Sequence, residues 1–473
     1  MPRKVAVVGS GPGGYGAAVR AAQLGAEVTL VESDRIGGVC LNWGCIPTKT
    51  LKTTAEHLQA TKEAGTYGVS YQGDPKVDME KAQTRKERVV ADQAGGVSRF
   101  VSNHGVRYVQ GTARLIDPVS LEIDDGERQT RLLETDSIIL APGTHSAEFP
   151  NLSFDGKYVL SSAQALDLSR VPESMIIVGG GVVGCEFATL FNELGAKVTL
   201  VEAMNRLLPI PGVGGECSKI LLREMRKRKV AAKTGHAVQS CIRKEDGVEV
   251  GIVPFKDASG QDPAKEEKLH AELMMVCVGR RPNTSKLGLD NAGVSTDKRG
   301  WILADSEMRT SAEHIFAIGD ALGPEKVMLA HAATAEAEIA AENAVLGSGR
   351  RMNYERVPGA IYTHPEVANV GLTEEQAEEA GWNARSDTAL YRSLGRAHAA
   401  GDITGQGTIV WDQNNGLILG VHLIGAHATE LIAEATLALN QECTIEDISR
   451  SIHPHPTNSE IFREIVQKAL DRA

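Results

Sequence analysis

Two stretches of this chain repeat one pattern. Residues 5–32 read VAVVGSGPGGYGAAVRAAQLGAEVTLVE, and residues 175–202 read MIIVGGGVVGCEFATLFNELGAKVTLVE. Each is an apolar run of strand character, a glycine turn, a helix-length segment and a second apolar run that closes on a glutamate. In both copies the glutamate follows the first glycine by 23 residues. A lone G-x-G-x-x-G is weak evidence, but a copy set between a strand and a helix within a βαβ unit has the context of a dinucleotide site. Gly9 and Gly179 permit the tight turn. Gly11 and Gly181 let the backbone approach a pyrophosphate, and Gly14 and Gly184 let the helix pack closely on the strands. The helix N-terminus offers free N–H groups and a positive dipole end to phosphate. Glu32 and Glu202 can each accept hydrogen bonds from a ribose. Two such units predict two bound dinucleotides. The second is expected to prefer NAD to NADP, because Glu202 would repel a 2′-phosphate and Ala203, Met204 and Asn205 bring no cation; Arg206 is the nearest one.

With 473 residues the chain is too long for one ordinary core and predicts about three domains. Hydrophobic residues make up 42% and charged residues 23%, the balance of a globular protein. A net charge of −11 leaves no basic footprint for nucleic acid. The basic run Arg223–Lys229 reads as one solvated helix face. No apolar stretch of about 18 residues predicts a membrane span. The start of the chain lacks the long apolar core of a secretory signal. The seven cysteines are mostly scattered, with neither a C-x-x-C pair nor an H-E-x-x-H motif, so no disulfide framework and no metal site are expected. A cytoplasmic location follows as the expectation.

One cysteine pair stands apart. Residues 37–50 read GGVCLNWGCIPTKT, with Cys40 and Cys45 five positions apart. On a regular helix such positions point about 140° away from each other. A distorted first turn could join them, and Gly44 and Pro47 suit such a start. A helix N-terminus also lowers a thiol pKa. The spacing alone leaves two outcomes open, a bonded pair or two core thiols that never meet.

The segment GGVCLNWGCIPTK resembles the redox-active disulfide signature of the pyridine nucleotide-disulfide oxidoreductases. The likeness extends along the chain: LAPGT (140–144), VCVGRRPN (276–283), TSAEHIFAIGD (310–320), MLAH (328–331), GVHLIGAHATELI (420–432) and HPHPTNSE (453–460) resemble further motifs of that family. The resemblance implies an α/β fold with two Rossmann-like dinucleotide-binding domains, for FAD and NAD, and an α+β C-terminal dimerisation domain. The implied domains are residues 1–147 (first part of the FAD domain), 148–277 (NAD domain), 278–350 (completion of the FAD domain) and 351–473 (interface domain). The polar stretch 254–268 reads as a solvent-exposed hairpin tip.

The resemblance also assigns roles. Cys40 and Cys45 become the redox disulfide. Lys49 and Glu186 form an ion pair beside the flavin. Asp320 lies on the ribityl side, and Gly143 and Gly279 belong to turns along the cofactors. His455 becomes the base and Glu460 the group that orients its ring; His453 is left to packing or a polar network. The implied reaction starts when His455 deprotonates a thiol of a dihydrolipoyl group. The thiolate attacks Cys40 and releases Cys45, and electrons pass through FAD to NAD. In this family the His–Glu pair reaches the site of the other subunit, so a homodimer is expected. The other implied partner is a lipoyl-bearing protein, of a 2-oxo acid dehydrogenase complex or of the glycine cleavage system.

Three residues depart from the commonest pattern: Pro142 in the 140–144 turn, and Pro454 and Asn458 beside His455. Relatives acting on glutathione-like disulfides or mercuric ion are the alternatives. The missing arginines after Glu202 weigh against the first, and the absence of a cysteine pair after Cys443 weighs against the second. A non-catalytic flavoprotein subunit of a large complex is the alternative outside enzymes, and the complete Cys40, Cys45, His455 and Glu460 set opposes it.

Overall fold

The structure is a computed structural model and describes residues 1–126, 130–149, 151–256, 260–261 and 266–472. Its architecture is mixed α/β and is built on three five-stranded sheets. The first is wholly parallel, with the strands Ile315–Ala317, Ser137–Leu140, Lys4–Val8, Glu27–Glu32 and Arg107–Gln110 side by side in that order. Val5–Val8 and Ser137–Leu140 are buried along their whole length, as a parallel sheet covered on both faces requires. The helix Pro12–Gln23 packs on the alanine-rich helix Ala330–Leu346. A Cβ on Gly13 would stand 3.2 Å from the Ala333 carbonyl oxygen, so small residues set this close approach. The outer strand Ile315–Ala317 is supplied by chain that returns only after the second sheet has been built.

The second sheet repeats the plan with the parallel strands Ala231–Thr234, Lys197–Glu202, Ser174–Val178, Leu273–Val276 and Val159–Leu160. An antiparallel meander, His236–Lys244, Gly247–Lys256 and Glu267–Ala271, is attached to it. Within the stretch 254–268, Gly260–Gln261 turns back on Phe255–Lys256. Residues 257–259 and 262–265, where the hairpin tip is expected, lie outside the described residues. The chain passes between the two sheets twice, and the two passages pair as a short antiparallel ribbon, Thr144–Ser146 with Arg280–Pro282.

The third sheet is antiparallel, in the order Gly359–Ile361, Glu366–Gly371, Ile418–Gly425, Gln406–Asp412 and Ala384–Leu390. The helices Ala428–Asn440 and Glu460–Leu470 pack against it, the second placing Ile461, Phe462, Ile465 and Val466 in its core. Among the described residues no helix is long and apolar enough to cross a membrane, and no cluster of His, Cys, Asp and Glu could hold a metal ion.

Candidate functional site

Both glycine turns have the geometry their sequence demands. Gly9 and Gly179 take φ of 96° and 107°, a region that favours glycine. A Cβ on Gly14 would run into the Gly9 carbonyl, and one on Gly184 into that of Gly179, so each helix start sits directly against its turn. At Gly11 and Gly181 a Cβ would meet nothing within 4 Å. These are the N-cap positions of Pro12–Gln23 and Val182–Leu194. Neither has a side-chain cap, and neither helix carries an acidic residue in its first turn. Free N–H groups, a positive dipole end and open space together make an anion cradle. Gly143 and Gly279 likewise border open space, at φ of 66° and 133°. The residues present therefore fit two dinucleotides.

The glutamates do more than the sequence suggests. Glu32 Oε2 accepts hydrogen bonds from the Ser10 N–H and hydroxyl, each at 2.7 Å, and Oε1 accepts from the Asp34 N–H at 2.9 Å. Glu202 accepts from the N–H groups of Gly180 and, at 2.7 Å, Met204. Each buried carboxylate ties its glycine turn to the end of the second strand; with about four lone-pair directions it keeps acceptor capacity for a ribose. Arg206 is turned away, donating to the carbonyls of Val213 (2.9 Å) and Ile210 (3.0 Å) and to the Ser218 hydroxyl (3.0 Å). The cation that follows Glu202 most closely in sequence is thus engaged in its own loop.

Asp320 lies in the short helical turn Gly319–Leu322 that follows the strand Ile315–Ala317. Its Oδ2 accepts from the Thr144 hydroxyl at 3.0 Å and lies 3.6 Å from Arg280 Nε. Burial lowers the Arg280 pKa and the Asp320 charge opposes that shift. Arg280 was not singled out from the sequence, although it lies inside the quoted 276–283 motif. Its only signal in the sequence was its place directly after Gly279 in that motif. Pro142 gives up its N–H but keeps its carbonyl in use, accepting from Asn283 Nδ2 at 2.9 Å.

Cys40 and Cys45 are joined in a disulfide with Cα atoms 4.7 Å apart. The pair does not lie in one distorted first turn. Cys40 belongs to a short helix, Gly38–Trp43, and Cys45 begins a second, Cys45–Glu63, with the break at Gly44 (φ −138°, ψ −110°). That break removes the angular separation which a continuous helix would impose. A Cβ on Gly38 would stand 2.7 Å from Gly11 Cα, so the disulfide segment is pressed against the first glycine turn. Lys49 sits one turn beyond Cys45, on the same helix face. Its Nζ meets Glu186 Oε2 at 2.7 Å, joining the first helix pair to the helix of the second unit.

His455 and Glu460 form a separate cluster. His455 Nδ1 and Glu460 Oε1 are 2.9 Å apart, and the Thr457 N–H donates to Glu460 Oε2 at 3.0 Å. The His455 hydrogen bond, then the Thr457 one, hold the Glu460 carboxyl below the ordinary carboxylate range. The ring is largely exposed, with Nε2 left unengaged by the carboxylate. The peptide bonds before Pro365 and Pro456 are cis. The His453 side chain is nearly covered, bonded to Glu434 at 2.8 Å and stacked on Phe462, consistent with a network role. Asn458 is buried and the Pro454 carbonyl accepts from the Thr457 hydroxyl at 2.7 Å. Among the described residues no hydrogen bond runs from His455 or Glu460 to the disulfide segment.

A parallel two-sheet frame with a disulfide laid on the first nucleotide turn defines a class, the flavin- and nucleotide-linked disulfide reductases. Residues 3–337 match the model of the pyridine nucleotide-disulphide oxidoreductases, and residues 357–466 match their dimerisation domain. The chain belongs to this family, with FAD and NAD as its cofactors and a second copy of itself as a partner. It is 37% identical over 469 residues to the dihydrolipoyl dehydrogenase of Haloferax volcanii, covering 99% of this chain and 96% of that one. It is 38% identical over 462 residues to the Thermus scotoductus protein of the same name, covering 98% and 96%. Among solved structures it resembles LpdA from Mycobacterium tuberculosis, with a TM-score of 0.90, 25% identity and 99% of both chains covered. The flavoprotein disulfide reductase RclA from Escherichia coli shares the fold, with a TM-score of 0.84, 24% identity and 99% of both chains covered.

Proposed function

We propose that this chain oxidises a protein-bound dihydrolipoyl group to its cyclic disulfide and delivers the electrons to NAD. The observation that carries the proposal is the Cys40–Cys45 disulfide pressed on the Gly11 turn, with Lys49 one turn further along and paired to Glu186. The curated relatives named above as dihydrolipoyl dehydrogenases, similar over nearly their whole length, support the choice of substrate.

His455, its Nδ1 fixed by ionised Glu460, accepts a proton from one substrate thiol at Nε2. The thiolate attacks Cys40 Sγ; the Cys40–Cys45 bond breaks and Cys45 leaves as a thiolate. The second substrate thiol then attacks the substrate sulfur bonded to Cys40, its proton going to the departing Cys40 sulfur. That bond breaks, the lipoyl ring closes, and both cysteines remain reduced. Bound FAD supplies the two-electron relay between the cysteine pair and NAD. Gly9, Gly11, Gly14, Glu32, Gly143 and Asp320 hold the flavin nucleotide, and Gly179, Gly181, Gly184, Glu202 and Gly279 hold NAD. Lys49 holds positive charge beside the flavin ring.

In the homodimer the His455–Glu460 pair of one subunit faces the disulfide of the other. Residues 1–147 and 278–350 form the FAD domain, 148–277 the NAD domain and 351–473 the interface domain. The second partner is a lipoyl-bearing protein. The cytoplasm is the place that fits a chain whose other cysteines are free thiols.

The test is a steady-state assay of purified protein with dihydrolipoamide, glutathione disulfide and mercuric ion, each with both nicotinamide cofactors. Dihydrolipoamide with NAD should dominate. Cys45→Ser should abolish dithiol-dependent NAD reduction, and undiminished turnover in that variant overturns the scheme.

A further inference from the structure

The helix Val182–Leu194 presents Glu186 and Glu193, seven residues and so about two turns apart, on one face. Both residues are buried and both are held from two sides, Glu186 by its carboxylate on each, and Glu193 by its backbone carbonyl on one and its carboxylate on the other. On one side is the helix Cys45–Glu63: Lys49 Nζ meets Glu186 Oε2 at 2.7 Å, and the Gln59 side-chain amide donates to the Glu193 carbonyl. On the other side is the loop that leaves the strand Gly359–Ile361 of the third sheet. Its Tyr362 N–H donates to Glu186 Oε1 at 3.0 Å, and His364 Nδ1 lies 3.0 Å from Glu193 Oε1. The result is a ladder of two rungs, Lys49–Glu186–Tyr362 and Gln59–Glu193–His364.

The first rung has a further contact. Lys49 Nζ stands 4.3 Å from the centroid of the Tyr362 ring. A lysine ammonium ends a flexible four-carbon stem, and one ion pair leaves it several rotamers. A ring face beneath it adds a second, directional attraction. Burial, then the nearby Glu366, Glu430 and Glu186, raise the Tyr362 pKa, so the ring stays a neutral phenol. One residue of the interface domain therefore holds the carboxylate through its backbone and the ammonium through its ring.

We infer that Tyr362 is a positioning residue of the electron-transfer site, fixing the Lys49 ammonium from the interface domain. The inference rests on the reading above that Lys49 stands beside the flavin.

The test uses the purified holoenzyme and reads the flavin midpoint potential by equilibrium reduction against a reference dye. Lys49→Gln calibrates it and should move the potential to more negative values, because a cation that favours the reduced ring is lost. Tyr362→Leu should shift it the same way by a smaller amount and lower kcat roughly 3- to 10-fold with KM for NAD unchanged. Tyr362→Phe, which keeps the ring, should restore both. His364→Asn loosens only the second rung and should leave the potential in place.

An unmoved potential in Lys49→Gln removes the reading beneath the inference. A shift in Lys49→Gln with none in Tyr362→Leu overturns the inference alone, as does a His364→Asn shift equal to that of Tyr362→Leu. Should Tyr362→Leu fail to fold, a series of progressively fluorinated phenylalanines at 362 preserves shape while weakening the ring face. A stepwise negative shift is expected, and a flat series overturns the inference.

Discussion

The two nucleotide units share a turn and differ in what is attached to it. In both, chain beyond the second strand folds back on the residue after the first glycine: the Gly37 N–H donates to the Ser10 carbonyl at 3.0 Å, and the Leu208 N–H to the Gly180 carbonyl at 2.8 Å. In the first unit that returning chain carries Cys40 and Cys45. In the second it is a loop pinned by Arg206, and the unit's own thiols, Cys185 and Cys277, are packed behind its turn. The first turn also has a serine where the second has Gly180, and its hydroxyl binds Glu32 and accepts from the Gly37 N–H at 3.2 Å. A dinucleotide cradle is thus a reusable part, and the chemistry comes from the segment laid over it.

The largest expected difference between the units is in thiol reactivity. Burial, with the nearby Glu202 charge adding to it, pushes the Cys277 thiol up to about 12, and burial raises Cys185 strongly as well. At pH 8 roughly one Cys277 in ten thousand is then ionised. In reduced native protein, iodoacetamide should label Cys40 or Cys45 while Cys185 and Cys277 react only after unfolding, a rate difference of about a thousandfold or more. Peptide mapping after timed alkylation reads this directly, and comparable labelling of all four would break the contrast.

The cradles come next. Gly11 and Gly181 have extended backbone and open space for a Cβ, so leucine there should disturb the ligand and not the fold. Gly11→Leu should purify with little flavin and lose activity roughly a hundredfold. Gly181→Leu should stay yellow while KM for NAD rises by roughly 10- to 100-fold, as expected for overpacking worth about 1–3 kcal/mol. A colourless Gly181→Leu protein would show that the turns are not independent. Ser10→Ala should act on stability instead, because it removes a 2.7 Å hydrogen bond to buried Glu32. Stability should fall by about 1.5–3 kcal/mol in a denaturant titration, with KM for NAD unaltered; a change in that KM would deny the assignment of the first turn to the other cofactor.

Much of this was legible in the sequence because it is local. The glycine turns, the closing glutamates and their strand–helix context lie within 28-residue windows, and steric need dictates the residue types. The disulfide was legible only through resemblance, because a spacing of five does not reveal that Gly44 breaks one helix into two. The ladder at Tyr362 and His364 was not legible, since its rungs join residues more than a hundred positions apart, such as the 176 between Glu186 and Tyr362. The dual work of Glu32 and Glu202 was hidden for another reason: a carboxylate that binds backbone amides leaves no pattern beyond its own presence. Arg206 was visible as a cation, but only packing could tell that its guanidinium points into its own loop.

The smallest effect concerns the joint between the second unit and the third sheet. His422, on the strand Ile418–Gly425, packs beside Gly214 of the second unit, with Nε2 3.0 Å from the Leu372 carbonyl. Burial lowers its pKa from 6.5; hydrogen bonds to the Leu372 and Gly212 backbone and the Glu375 charge oppose that shift. The unfolded chain takes up a proton near 6.5, whereas the folded chain resists until a lower pH. Stability from this group is therefore complete above pH 6.5 and lost as pH falls from there towards the folded-state pKa, at up to about 1.4 kcal/mol per pH unit. His422→Gln keeps a polar side chain without the titration. Its denaturant midpoint should accordingly fall less than the parent's between pH 7 and 5.5. Parallel pH slopes for the two proteins would mean that the joint is open to solvent and that acid sensitivity of the second unit arises elsewhere.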